Sequence, residues 1–118
     1  MNCSEYRQLY SRYTAYPLPR KVHETQEFDE WQDHSLDCRS CADWDYGKRV
    51  EATGHTVGEY PCVHIAYQVT QQCETHPDPY DCPDVLIVEF EGTYGIPIRD
   101  GGSSRVVISH CPWCGLEL

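Results

Sequence analysis

Aromatic positions recur at helical spacing near the start of the chain, at Tyr6, Tyr10, Tyr13 and Tyr16. Ser4 to about Ala15 is therefore expected to form a helix whose tyrosine stripe packs on the rest of the domain, stopped by Pro17 and Pro19. Thr25 can cap a short second helix carrying Phe28 and Trp31. Few apolar residues follow, and the polar, glycine-containing stretch to Gly58 is expected to hold the irregular structure. From Tyr60 the pattern tightens. Pro61 suits a first helical turn, and Cys62, Ala66, Val69 and Cys73 share one helical face. Prolines at 77, 79 and 83 make residues 76–84 a rigid loop. Three strands are expected next, Val85 to Phe90, Tyr94 to Arg99 and Arg105 to Ser109, joined by turns at Gly92 and at Asp100-Gly101-Gly102. The pattern predicts an α+β fold: a helix packed on a three-stranded antiparallel meander with a zinc-knuckle closure. A helical and irregular acidic extension, residues 1–59, precedes that domain, residues 60–118.

Composition changes this picture in two ways. Eight Cys in 118 residues, beside nine Tyr and only two Phe, make cysteine chemistry the first question. The first residues, Met1-Asn2-Cys3-Ser4-Glu5-Tyr6-Arg7, do not read as a secretory signal, and no apolar run is long enough to span a membrane. A reducing cytoplasm is therefore the expected location, and there thiolates bind metal more often than they form disulfides. The net charge is −10. Such a surface repels phosphate backbones, so direct nucleic-acid binding is not expected, and neither is membrane association. The charge is also unevenly spread. Residues 1–21 carry Arg7, Arg12, Arg20 and Lys21 against Glu5, whereas Glu24, Glu27, Asp29, Glu30, Asp33, Asp37, Asp43 and Asp45 face only Arg39. An acidic segment of this kind suits solubility, or docking on a protein partner that is basic or itself binds nucleic acid.

Zinc takes four soft or borderline ligands in a tetrahedron, and a C-x2-C turn supplies two of them from one loop. Cys111-Pro112-Trp113-Cys114-Gly115 is such a knuckle, delivered by a strand. A redox dithiol would instead stand at the start of a helix, and only Gly115-Leu116-Glu117-Leu118 follows here. Were residues 61–73 one unbroken helix, Cys62 and Cys73 would lie ~16 Å apart and could not share an ion. The expected set is one zinc held by Cys73, Cys82, Cys111 and Cys114, with His76, at C-x2-H spacing from Cys73, as challenger for the second position. Cys38 and Cys41 either form half of a second site, with Cys62 and His55 or His64, or partner the C-terminal pair directly. Cys62 alone would be a core residue, and Cys3 has no partner at ligand spacing.

Catalytic signatures are missing from the sequence. It contains no H-E-x-x-H, no H-x-E followed by C-x2-C, no phosphate-binding glycine loop and no nucleophile elbow. Asp78, Asp81 and Asp84 could face a cation, but their setting suits turn caps.

Residues 73–84, Tyr94-Gly95-Ile96, residues 99–104 and Cys111-Pro112-Trp113-Cys114-Gly115, with Cys62 and Ala66 ahead of them, resemble a domain-of-unknown-function family of short bacterial and phage-borne proteins. The resemblance covers residues 60–118. It implies a zinc-binding fold and no particular activity. The family pattern has His where Arg99 stands, so a role for that histidine does not carry over. Residues 1–59 look like an addition, so the family's metal site would close without Cys38 and Cys41. The reading is a zinc-stabilised, non-enzymatic interaction module, an accessory or inhibitory protein of a phage or mobile element, docking through residues 24–45. Its rivals are a metal-dependent enzyme with an incompletely filled zinc, using His76 and Asp78, and a redox or metal-handling protein.

Overall fold

The computed structural model describes residues 1–71 and 73–118. By its internal contacts the chain divides into two compact units, Met1–Asp45 and Tyr46–Leu118.

In the first unit, α1 (Cys3–Tyr13) begins where the Asn2 side chain accepts a hydrogen bond from Glu5 N at 2.8 Å. After the short α2 (Arg20–His23), α3 (Gln26–Asp37) starts at the Thr25 hydroxyl, which accepts from Phe28 N at 3.2 Å. Each cap satisfies a backbone donor that the first helical turn leaves unpaired. The tyrosine stripe splits by depth: Tyr6 and Tyr13 are buried with Phe28, Trp31 and Cys41, while Tyr16, beyond the helix end, is exposed. Trp31 stacks on Tyr6 with ring centroids 5.1 Å apart, and its indole N–H donates to the Tyr6 carbonyl at 3.0 Å. Burying an indole costs little when its one donor finds a partner.

The stretch expected to be irregular is instead largely α4 (Arg39–Ala52). Its apolar residues are sparse and do not share one face: Val50, nine residues after Cys41, points half a turn away from it. Cys41 is buried at one end, Trp44 is half-buried and Val50 is fully buried. Gly47 lies inside the helix although a glycine there costs about 1 kcal/mol. Tertiary burial outweighs that local preference.

The second unit contains a 3-10 turn (Val57–Glu59), α5 (Val63–Thr70) and an antiparallel sheet of β1 (Val88–Phe90), β2 (Thr93–Pro97) and β3 (Arg105–Ile108) in the order β1-β2-β3. The α+β class and the meander agree with the sequence. The expected helix runs long: α5 ends at Thr70, and Gln72 lies outside the described residues. Val88 pairs with Gly95, and Tyr94 pairs with Ile108. Ile65 of α5 packs with Ile87, Tyr94 and Cys111 in this unit's core. Because β1 and β3 both run opposite to β2, they run the same way. The chain entering β1 and the chain leaving β3 therefore stand at opposite ends of the sheet. Among the described residues no helix is long and apolar enough to cross a membrane.

Candidate metal centres

The C-terminal knuckle grows directly from the sheet. Ser109 accepts from Leu118 N at 2.8 Å, Cys111 N donates to Leu116 O at 2.8 Å, and Gly115 N donates to Cys111 O at 2.9 Å. Gly115 has φ +75°, a conformation that glycine adopts without strain, and it turns the chain back after Cys114. The amides of Cys114 and Trp113 point at Cys111 Sγ. Burial pushes this thiol up, yet those hydrogen bonds leave it lowered. Among the described residues, Cys114 closes a turn and is followed by the bridge of Glu117 to His110, not by the helix start whose dipole activates a redox dithiol.

The same local geometry occurs twice more. The backbone amides of Cys41 and Ser40 point at Cys38 Sγ and, with Cys3, lower that thiol. Cys73 receives the Thr75 hydroxyl and His76 side chain, then the amides of Thr75 and His76, and is lowered to about 6. All three knuckles thus aim the N–H groups of residues i+2 and i+3 at the sulfur of residue i, an arrangement that stabilises a thiolate ligand.

Each knuckle anchors a separate group whose potential ligand atoms lie within 4.8 Å of one another: Cys3, His34, Cys38 and Cys41; Cys62, His64, Cys111 and Cys114; and Cys73, His76 and Cys82. These clusters are compatible with metal binding. All eight cysteines are free thiols.

The grouping differs from the expected one. Cys73 and Cys82 do gather, with His76 beside them, but the sheet does not return Cys111 and Cys114 to that end. Cys82 precedes β1 and Cys111 follows β3, so the meander separates them. Helix α5 bridges the same distance, its eight residues spanning ~12 Å. Cys62, its N-cap, meets the knuckle, while Cys73 lies beyond its other end.

Cys62 is no bystander in the core. Its Sγ accepts from Ile65 N at 3.5 Å, and burial raises its thiol to about 11, with Cys111 and Cys114 adding to the rise. His64, two residues on, is 8% exposed and stacks on Trp113. Cys38 and Cys41 join neither Cys62 nor the C-terminal pair; they gather with Cys3 and His34. His55 stands apart from all three groups, and its Nδ1 hydrogen bonds with Thr53 Oγ1 at 2.9 Å.

Sequence reasoning overlooked Cys3 and His34. Cys3 is thirty-five residues from Cys38, so no local spacing marks it. A signal for His34 was present in the H-x3-C-x2-C run from His34 to Cys41. Asp78, weighed beside His76, accepts from Tyr80 N at 2.9 Å and serves the turn.

The third group owes its shape to Arg99, whose guanidinium donates to the carbonyls of Pro79 at 3.2 Å, Tyr80 at 2.7 Å and Val85. Those three contacts bracket Cys82 and hold its loop. Beside the group lies an open cleft of about 400 Å3 lined by Cys73, His76, Pro77 and Val69 among others.

No curated protein and no solved structure matches the chain. Residues 59–118, the segment that carries the second and third groups, match the family model described as Domain of unknown function (DUF6980), and the chain belongs to that family.

Proposed function

We propose that this protein is a zinc-stabilised, non-enzymatic protein-interaction module of the cytoplasm. The observation that carries the reading is the gathering of Cys62, His64, Cys111 and Cys114 at one end of the second unit. Three thiolates and an imidazole fill a zinc tetrahedron and leave no position for water, the chemistry of a structural site. Such an ion ties the start of α5 to the end of β3, beside the core of Ile65, Ile87, Tyr94 and Cys111. Loss of zinc and of the second unit's fold in Cys111→Ser is the expected result. A variant that folds as the parent does without its zinc would defeat the reading.

The docking surface in this proposal is α3. Glu27, Asp29, Glu30 and Asp33 are exposed on it, and Leu36 is 82% exposed beside them. Charge and an exposed apolar side chain together suit a basic protein partner, one that itself binds nucleic acid being the natural case. The phage or mobile-element accessory role belongs to the same proposal. Replacing those four acids by Lys is expected to release a partner retained by the parent chain, and an unchanged set of identified partners would remove the idea.

One observation favours a second reading. Among the described residues, Cys73, His76 and Cys82 form a group of three, so a bound ion keeps one position open toward the cleft. An open position is what a metal-dependent enzyme or a metal-handling protein needs. Binding of a small thiol or azide to the cobalt-loaded protein, seen as a change in its visible spectrum, supports this reading. A spectrum that stays constant excludes it.

A further inference from the structure

We infer that the first unit holds a zinc site of its own, with Cys3, His34, Cys38 and Cys41 as its four ligands. This goes beyond the proposed function and does not rest on it, because every residue involved lies outside the segment that matches the family.

Four observations converge. Cys3 opens α1, His34 lies in the last turn of α3, Cys38 caps that helix, and Cys41 sits in the first turn of α4. Three helix ends thus deliver four ligand atoms to one point, all within 4.8 Å of one another. Cys3 Sγ lies 3.7 Å from Cys38 Sγ. That matches the edge of a tetrahedron with Zn–S bonds of about 2.3 Å, roughly 3.8 Å, and is far from the ~2.05 Å of a disulfide. His34 Nε2 is buried without a hydrogen-bond partner among the described residues. Such an orphaned group costs about 1–3 kcal/mol unless something pairs with it, and a metal ion would. Cys41 is 0% exposed, so its sulfur is shielded from water.

The chemistry selects zinc. Three thiolates with one imidazole in a tetrahedral arrangement suit a borderline-soft dication without geometric preference, and hard cations prefer oxygen. The unit also needs such a staple. Its buried apolar side chains are essentially Tyr6, Tyr13, Phe28, Trp31 and Cys41, a core too small to supply much stability alone. Binding energy at the site is then folding energy for the unit.

The test uses the full chain, purified under reducing conditions without added metal, with zinc counted by elemental analysis. Cys3→Ser and Cys38→Ser are each expected to lose one zinc per chain, or to release it to a chelator with a weakening beyond the roughly 10–100-fold that loss of an outer-shell partner costs. Cys111→Ser should keep that ion and lose another, which separates this site from the one in the proposed function. His34→Cys should retain the ion, and the cobalt-loaded chain should gain the charge-transfer absorption of one further thiolate, nine where the three groups of the parent offer eight. Retention of the parent's full zinc content and chelator profile in the Cys3→Ser/Cys38→Ser double variant would overturn the inference. So would a Cys3–Cys38 disulfide in the reduced preparation, or loss of the ion in His34→Cys with the helices intact.

Discussion

Cys3 Sγ and Cys38 Sγ lie 3.7 Å apart across thirty-five residues of chain, which makes the first turn of α1 and the end of α3 a single chemical object. Metal removal should therefore reach the aromatic core. Chelation is expected to collapse the near-ultraviolet circular dichroism of the Tyr6, Tyr13, Phe28 and Trp31 cluster. In Cys3→Ser that loss should be present before chelator is added. A parent spectrum indifferent to chelator would speak against metal-dependent packing in this unit.

Alkaline pH should weaken the same unit. Tyr13 is buried, its hydroxyl donates to Glu27, and its pKa is raised above 10.0 by burial, then by the Glu27 hydrogen bond and charge. The unfolded chain ionises first, so the contribution of Tyr13 to stability is intact below about pH 10 and is lost as pH rises above it. Tyr13→Phe should lower stability near neutral pH by about 1 kcal/mol and flatten that alkaline loss. Denaturant titrations at pH 8 and pH 11 measure both effects.

Gly95 is required by its neighbours. A Cβ there would stand 2.9 Å from Arg105 Cδ and 3.0 Å from the Val106 carbonyl oxygen. Arg105 can swing away, at the cost of its hydrogen bond to Thr93 and its position over the Phe90 ring, but the backbone oxygen cannot. Gly95→Val is expected to destabilise the second unit by about 1–3 kcal/mol in thermal unfolding of the zinc-loaded protein. An unchanged melting temperature would mean that the sheet yields at this point.

Arg99 positions the third metal group without touching it. Arg99→Met keeps an unbranched apolar stem and removes three hydrogen bonds to the loop around Cys82. The expected outcome is metal at Cys73, His76 and Cys82 held roughly 10–100-fold more weakly, with the ion at Cys62 and Cys111 unaffected. Chelator competition in the Cys3→Ser/Cys38→Ser background, which leaves these two groups intact, reads both affinities. Equal weakening at both sites would show a general loss of structure instead.

Much of the fold was legible because local signals agreed. The tyrosine stripe, the Thr25 cap, the Asp100-Gly101-Gly102 turn and the knuckle each marked an element that forms. Helix α4 was hidden because its core residues, Cys41 and Val50, are separated by polar positions and by Gly47, and only burial reveals them. Most of the cysteines that gather were singled out, but how they group depends on strand direction. Three consecutive antiparallel strands must place Cys82 and Cys111 at opposite ends, a consequence available from the predicted meander itself. Cys3 was beyond reach, since nothing near it in sequence shows that α3 returns Cys38 to its side.

The central claim is that Cys62 and Cys111 hold one zinc while Cys73 serves a different ion. Zinc per chain, measured by elemental analysis in single and double variants, tests it most directly. Cys62→Ser/Cys111→Ser should lose no more zinc than Cys111→Ser alone, whereas Cys73→Ser/Cys111→Ser should lose the sum of the two single losses. The opposite pattern, with Cys73 and Cys111 sharing one loss, or a parent protein without zinc, would contradict the account.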